Sequence, residues 1–445
     1  MKLLQLVKAK IKKCLVYISG RTALDNAPSI AINKGLLAAF AYLRKKYRFY
    51  RPAAARFWIF LYEYLIQLES NHSLNDLKPG AFIVHFCCWG KDYTAKAKNY
   101  LIASLNTEGN LQSIVKSREV VVLIHCDQAA KNELAGSHVV KIMQETMRVV
   151  FFVLPQPLLD ACHASCHYPN VSYFKRVNRI HYNNKYFLLG GMQTHAFKVA
   201  LQNKAYISFM MPDFLLSDSF FQYAFSKIEN KTLVVTTAFR TNYATVKKAI
   251  DSMYGELDRS SLSIAAPLLT QLQIEHMHVA AKRRIVSEST ENFAPTPQLI
   301  FEAPNGFVVR TFHYHPILID CKQIDHEIRL DYMAIDYLLL NQMLKNDLPY
   351  EDQLWVCDDS SQMAVMELSA EDVENHFDVK QTMAYHELID QIFRMIENSP
   401  SVYDTPLNYY FSSIRHRIVS DKFYRMKKEH LDDISFFSKL ASLRE

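Results

Sequence analysis

The sequence predicts an α/β fold in which a mainly parallel sheet is flanked by helices. Between residues 80 and 230, short apolar runs rich in Val, Ile and Phe alternate with helical patterns, and this alternation is typical of parallel sheets. Only 10 glycines occur in 445 residues, and neither the GxGxxG nor the GxxxxGK(S/T) pattern is present. The sequence therefore argues against a dinucleotide-binding Rossmann domain and against a P-loop nucleotide hydrolase.

The individual elements follow from periodicity and from turn signals such as Leu77-Lys78-Pro79-Gly80. Strands are expected at residues 82–88, 120–126, 150–154 and 205–211, with shorter ones at 299–301 and 308–313. Helices are expected at residues 57–68, 93–105, 133–149, 193–203 and 219–228. We expect three regions: a basic helical N-terminus at 1–78, an α/β core at 79–330, and a mixed, then helical, region at 331–445.

Positive charge is concentrated at the N-terminus. Residues 1–56 contain 13 Lys or Arg and a single acid, Asp25, a net charge of +12, which leaves −6 for the other residues out of a total of +6. Residues 1–18 alternate apolar residues with lysines, as in a basic amphipathic helix. This pattern predicts contact with an anionic membrane surface, and a helix packed on the protein body is the alternative. No aromatic and basic interleaving indicates nucleic-acid binding.

The eight cysteines are irregularly spaced, and the adjacent pair Cys87 and Cys88 lies inside an apolar run. This distribution favours buried reduced thiols over a disulfide framework. We therefore expect a reducing compartment, which for this chain means the cytoplasm, with peripheral association at the inner face of the membrane.

Two aspartates follow a predicted buried strand in the segment AYISFMMPDFLLSDS. The strand ends at Pro212, and Asp213 and Asp218 come after it. In open α/β sheets, ligands bind outside the carboxyl ends of the strands. A divalent cation that bridges a diphosphate is a common way to compensate such carboxylates. The alternative is an ordinary loop in which Ser217 or Asp218 caps the next helix.

Six segments cover residues 80 to 370: FIVHFCCWGKDYTAKAKNYLIASLNTEGNLQSI, VVLIHCD, MMPDFLLSDS, FVVRTFHYHPILID, IRLDYMAIDYLL and LWVCDDSSQMAVMELS. In this order, they resemble the segments of bacterial GT-A-like glycosyltransferases of the nucleotide-diphospho-sugar transferase superfamily. The aspartates depart from the family's compact D-x-D pattern, and Ser219 stands where glycine often follows the Ser-Asp pair. The resemblance implies a GT-A-like core and transfer of a sugar from a nucleotide-diphosphate donor, assisted by Mn²⁺ or Mg²⁺.

Such a reaction needs a site for the nucleotide and compensation for the departing diphosphate. Trp89, Gly90 and Lys91 follow the first strand and Asp127 follows the second, so we expect these four to contact the nucleotide. Core packing of Trp89 and helix capping by Asp127 are the alternatives. Arg310 is expected to neutralise phosphate charge, with a structural ion pair as its alternative.

His313 and His315 are two residues apart before Pro316, so in a strand they share a face. We expect them beside Asp213 and Asp218 as further metal ligands. An inverting transfer also needs a carboxylate base. Asp336 and Asp359 are predicted for that role, and Asp331 and Asp358 are the alternatives.

The acceptor is expected to be a glycan, a lipid-linked glycan or a protein, bound by the C-terminal region. Two other classes stay open: a non-catalytic interaction protein that retains the fold, and a metal-dependent hydrolase that uses the same aspartates and histidines.

Overall fold

A computed structural model describes residues 52–71, 74–166, 184–255, 259–282, 285, 292–293, 298–303, 306–311, 314–326, 328, 342–345, 347–357, 359–370, 382–383 and 415–419. The chain divides into two compact units. The first comprises Met1–Glu63 and Pro157–Lys185, and the second comprises Tyr64–Gln156 and Tyr186–Glu445. The domain boundaries expected at residues 78 and 330 stay predictions, and residues 1–18 lie outside the described part of the chain.

The second unit contains a seven-stranded sheet. Its strands are β1 (Phe82–Cys88), β2 (Val120–Cys126), β3 (Arg148–Val153), β4 (Tyr206–Met210), β6 (Leu233–Val235), β11 (Ile317–Asp320) and β12 (Leu354–Val356). They lie side by side in the order β12-β6-β11-β4-β1-β2-β3. Strand β11 is antiparallel to its neighbours β4 and β6, and the other pairs are parallel. The predicted mainly parallel α/β architecture is confirmed.

Smaller sheets contain the remaining described strands. Strand β13 (Val365–Ser369) pairs with β5 (Phe214–Leu216) and β7 (Phe239–Asn242). Strand β10 (Gly306–Thr311) pairs with β9 (Gln298–Ala303) and β15 (Arg415–Val419), and β8 (Asn292–Phe293) pairs with β14 (Thr382–Met383).

The helices lie between the strands, as an α/β sequence pattern predicts. They are α1 (Pro52–Glu69), α2 (Lys91–Lys96), α3 (Ala103–Leu105), α4 (Gln128–Gly136), α5 (His138–Thr146), α6 (Gln156–Cys166), α7 (Asn184–Gln202), α8 (Phe220–Lys227), α9 (Tyr243–Tyr254), α10 (Ala266–Glu275), α11 (Val279–Lys282) and α12 (Tyr350–Gln353). A π-helix (Ala97–Ile102) joins α2 to α3, and a second one follows at Glu108–Gln112. None of the helices described is long and apolar enough to cross a bilayer.

The first two strands are buried along their whole length, as their apolar runs predict. Alternation along β1 places Phe82, Val84 and Phe86 in the largest hydrophobic core, together with residues of α4, α5 and α8. His85 and Cys87 therefore point to the opposite face of the sheet. Helix α7 approaches that face, since His195 of α7 lies within hydrogen-bond distance of a β2 side chain.

Candidate functional site

The chain order of the strands marks one edge of the central sheet as the candidate ligand site. From β1 the chain proceeds to β2 and β3 on one side, and then crosses to β4 on the other side of β1. The crevice outside the carboxyl ends of β1 and β4 is therefore a topological switch point, where ligands of open α/β sheets bind. Asp213 follows β4, and helix α2 follows β1.

A group of ionisable side chains meets at this edge. It comprises Tyr93, Lys96, Asp213, Arg240 and Glu367, which we call the charged cluster. Arg240 Nε donates to Glu367 Oε1 at 2.8 Å, and Arg240 Nη2 lies 2.7 Å from the same oxygen. Lys96 Nζ donates to the carbonyl of Leu368 at 2.6 Å. The backbone NH of that same residue donates to the carbonyl of Asp213 at 2.8 Å, so strand β13 connects the members.

Asp213 is the most buried acid of the charged cluster, with 8% of its surface exposed. Burial raises the pKa of its carboxyl from 3.8 to about 6, and Glu367 raises it as well, whereas Lys96 and Arg240 lower it. Burial also raises the pKa of Tyr93 to about 12, and the charges of Asp213 and Glu367 contribute to that rise. A buried carboxylate with a strongly perturbed pKa in a cleft is characteristic of functional sites.

The two cations of the charged cluster differ in exposure. Lys96 is buried, and its ammonium lies 4.8 Å from the centroid of the Tyr243 ring and 5.5 Å from that of Tyr93. Arg240 and Glu367 have side chains that are 19% and 23% exposed. The cluster therefore contacts solvent on the side of this ion pair, where a ligand can reach it.

Asp218 lies in a different environment from Asp213. Its Oδ1 accepts from the NH of Ser219 at 2.9 Å, and its Oδ2 accepts from Ser263 Oγ at 2.8 Å. Residues 213 to 217 continue the ladder between β5 and β13. At about 3.3 Å per residue, this extended segment spans roughly 13 Å.

Helix α8 has a different cap from the one considered above. Asn110 Oδ1 accepts from the NH of Phe221 at 2.9 Å. Neither Ser217 nor Asp218 caps this helix. Ser219 precedes it with a φ of 61°, in the left-handed region that favours glycine.

Asp127 caps helix α4, as its alternative interpretation predicted. Oδ1 accepts from the NH of Ala130 at 2.6 Å, and Oδ2 accepts from the NH of Gly90 at 2.9 Å. The aspartate thereby fixes the turn after β1 that contains half-buried Trp89 and exposed Lys91. The turn and Asp127 lie at the expected edge of the sheet, and their contact with a nucleotide stays a prediction.

The other predicted residues differ in position, and His315 lies at the same edge as Asp213, because Ile317 of β11 pairs with Phe209 near the carboxyl end of β4. His315 is buried, forms a backbone bridge with Thr237, and has its ring centroid 6.3 Å from that of Phe214, the neighbour of Asp213. Arg310 belongs to β10, outside the central sheet, and its side chain is not described. Asp359 Oδ1 accepts from the NH of Ser361 at 3.0 Å, which is a turn contact. The predicted residues outside the described part of the chain are His313, Asp331, Asp336 and Asp358.

Joint binding of one divalent cation by Asp213, Asp218, His313 and His315 stays a prediction. Both oxygens of Asp218 accept hydrogen bonds within the chain. Asp213 contributes a buried carboxylate at this edge, and carboxylate oxygens are ligands that hard divalent cations prefer.

Comparisons of this chain with known proteins found similar solved structures but no matching family. No family model matches the chain, and no curated protein matches it. Among solved structures, the apo form of mouse xyloside xylosyltransferase 1 is similar to 55% of this chain and 68% of that one, with 12% identity and a TM-score of 0.24.

Proposed function

We propose that this protein is a glycosyltransferase that moves a sugar from a nucleotide-diphosphate donor to an acceptor, with the charged cluster as its donor site. One observation carries the proposal: buried Asp213 and two cations lie at the switch point between β1 and β4. Burying charged groups such as Asp213 and Lys96 costs stability, so their presence here indicates a purpose other than stability. Ligand binding at this edge is such a purpose.

The chemistry of the charged cluster suits a diphosphate leaving group. Negative charge grows on the diphosphate as the glycosidic bond breaks, and fixed cations in a partly buried site stabilise that charge. Lys96 and Arg240 are the cations available there. Glu367 holds the Arg240 guanidinium through a hydrogen bond and an ion-pair contact to one oxygen, so that its orientation is set before the donor binds.

Asp213 is suited to the sugar side of the donor. Its carboxylate is buried beside the two cations of the charged cluster, so it can accept a hydrogen bond or hold a cation at a fixed position. In this proposal Asp213 accepts a hydrogen bond from the donor, or holds Mn²⁺ or Mg²⁺ together with the diphosphate. The cation requirement separates these two roles, so the test below includes it.

Thermal unfolding of the full-length chain with uridine or guanosine diphosphate, with and without Mn²⁺, tests the proposal. A diphosphate at about 100 times its dissociation constant should add about 2.7 kcal/mol to the free energy of unfolding. Asp213→Asn should lose this gain, whereas Asp76→Asn should keep it, since Asp76 forms a surface pair with Arg148.

The outcomes distinguish the remaining classes. Stabilisation by metal alone would indicate a hydrolase, and stabilisation by neither ligand would indicate a non-catalytic interaction protein. A gain that Asp213→Asn retains in full would remove the charged cluster from the donor site. Equal gains with and without Mn²⁺ would assign Asp213 the hydrogen-bonding role.

A further inference from the structure

A second group of chemically versatile side chains lies on the face of β1 and β2 opposite the largest core. His85 and Cys87 of β1 share this face by alternation, and His125 of β2 is the register partner of Cys87. All three are buried, with exposures of 1%, 3% and 0%. Two imidazoles and a thiol inside a sheet are unusual, because strands buried on both faces are normally apolar.

The distances among these atoms approach those of a metal site. Cys87 Sγ lies 3.7 Å from His85 Nε2, and His85 Nε2 lies 2.9 Å from His125 Nδ1. The three potential ligand atoms all lie within 4.8 Å of one another. Tetrahedral zinc with bonds of about 2.0 to 2.3 Å places ligand atoms about 3.4 to 3.6 Å apart. A shift of about half an ångström between the rings would produce that geometry.

The His125 ring has an outer partner that would fix its orientation. His125 Nε2 lies 3.2 Å from Nδ1 of His195 on α7. Histidine ligands typically donate their second ring NH to such an outer partner, which fixes the ring orientation.

The donor atoms suit zinc. A thiol and two imidazoles favour zinc over Mg²⁺ or Ca²⁺, which prefer oxygen ligands. The Tyr64 hydroxyl is buried and has no hydrogen-bond partner among the described residues, which makes it a candidate for a fourth ligand.

We propose that His85 Nε2, Cys87 Sγ and His125 Nδ1 bind a zinc ion, with the Tyr64 hydroxyl or a water molecule in the fourth position. On binding, the Cys87 thiol releases its proton, and each imidazole keeps one proton on its other nitrogen. His195 acts as a positioning residue for His125. This site is separate from the charged cluster and does not depend on the proposed glycosyl transfer.

Metal content of the full-length protein tests the zinc site. Protein expressed with added zinc should retain about one zinc ion per chain after gel filtration. Cys87→Ser and His125→Gln should lose most of it. Cys126→Ser is the matched control, because Cys126 is a buried thiol of β2 in the core on the other face, and it should keep its zinc. His195→Phe should weaken zinc retention against a chelator by about 10 to 100-fold.

Cobalt substitution tests the site in the wild-type protein, so the result does not depend on whether the variants fold. Cobalt bound through Cys87 should show thiolate-to-cobalt charge-transfer absorption. The proposal would be overturned if folded wild-type protein contained no zinc and showed no such absorption after growth in cobalt. The three histidines would then form a hydrogen-bonded chain without a metal. Zinc that Cys87→Ser retains in full would overturn it as well.

Discussion

The Asp213→Asn substitution should stabilise the protein at neutral pH while it removes donor binding. The wild-type carboxyl titrates near pH 6 in the folded protein, against an ordinary value of 3.8. Folding therefore favours the protonated form. The folded chain binds more protons than the unfolded chain between these two values, and the free energy of unfolding falls as pH rises through that window.

The size of the effect follows from this difference in pKa. Each pKa unit corresponds to about 1.4 kcal/mol, so ionising Asp213 costs about 3 kcal/mol of stability above pH 6. Asparagine resembles the protonated acid in shape and charge. Relative to wild type, the variant should gain less than about 1 kcal/mol at pH 4 and about 3 kcal/mol at pH 7.5.

Urea unfolding of both proteins at several pH values from 4 to 8, without nucleotide or metal, measures this difference. Asp76→Asn is the control, since Asp76 is exposed and should show no comparable pH-dependent gain. A constant difference between wild type and Asp213→Asn across the range, or a loss of stability that grows with pH, would refute the reasoning. Such a result would mean that Lys96 and Arg240 compensate the ionised carboxylate fully.

Two further predictions concern other parts of the chain. Gly109→Ala should lower the free energy of unfolding by about 1 to 3 kcal/mol, because the added Cβ would lie 2.6 Å from the Ser219 nitrogen and 2.6 Å from Asp218 Oδ1. Urea unfolding measures this loss, and Gly136→Ala is the control, because a Cβ at Gly136 meets no atom within 4 Å. Equal losses for the two variants would contradict the packing argument. Replacing Lys8, Lys10, Lys12 and Lys13 by Gln in the full-length chain should weaken salt-sensitive co-sedimentation with anionic vesicles, at about 1 kcal/mol per engaged lysine, and unchanged sedimentation would assign residues 1–56 a role other than membrane contact.

Elements with strong local signals could be predicted from the sequence. The apolar runs of β1 and β2 gave their bounds without error. The helix expected at 133–149 is instead two helices, α4 and α5, because Asp127 caps the first one early and Ser137 adopts an extended conformation between them. Helix α7 begins at Asn184, nine residues before the expected start at 193.

The charged cluster was only partly predictable. Asp213 follows a buried apolar strand, and that local pattern identified it. Lys96, Arg240 and Glu367 carry no such pattern, since they meet through pairings between residues far apart in the chain, such as the 272-residue separation of Lys96 and Leu368. Their assembly depends on the register of β13, which hydrophobic periodicity does not specify.

The buried histidines can be recognised in the sequence, although they do not lie at strand ends as Asp213 does. His85 and His125 each interrupt a continuous apolar run, and polar residues in such strands need a partner. The two runs were correctly predicted as strands of a mainly parallel sheet, and the structure pairs them as neighbours. A polar residue inside each of two neighbouring buried strands therefore indicates a shared site, even when neither residue lies at a strand end.

The motifs that carry the family resemblance serve architecture in this chain more directly than chemistry. Gly109 lies against the Asp218-Ser219 turn so closely that no Cβ fits. Asn110 Nδ2 donates to the carbonyl of Ser217 at 3.1 Å, and its Oδ1 caps helix α8. The GNL and SDS segments thus form one packed unit that fixes where β5 ends and α8 begins. Because Asp213 lies in the same MMPDFLLSDS motif, five residues before Asp218, this packed unit also fixes the end of the strand that follows Asp213, and the proposed activity is tested at the charged cluster.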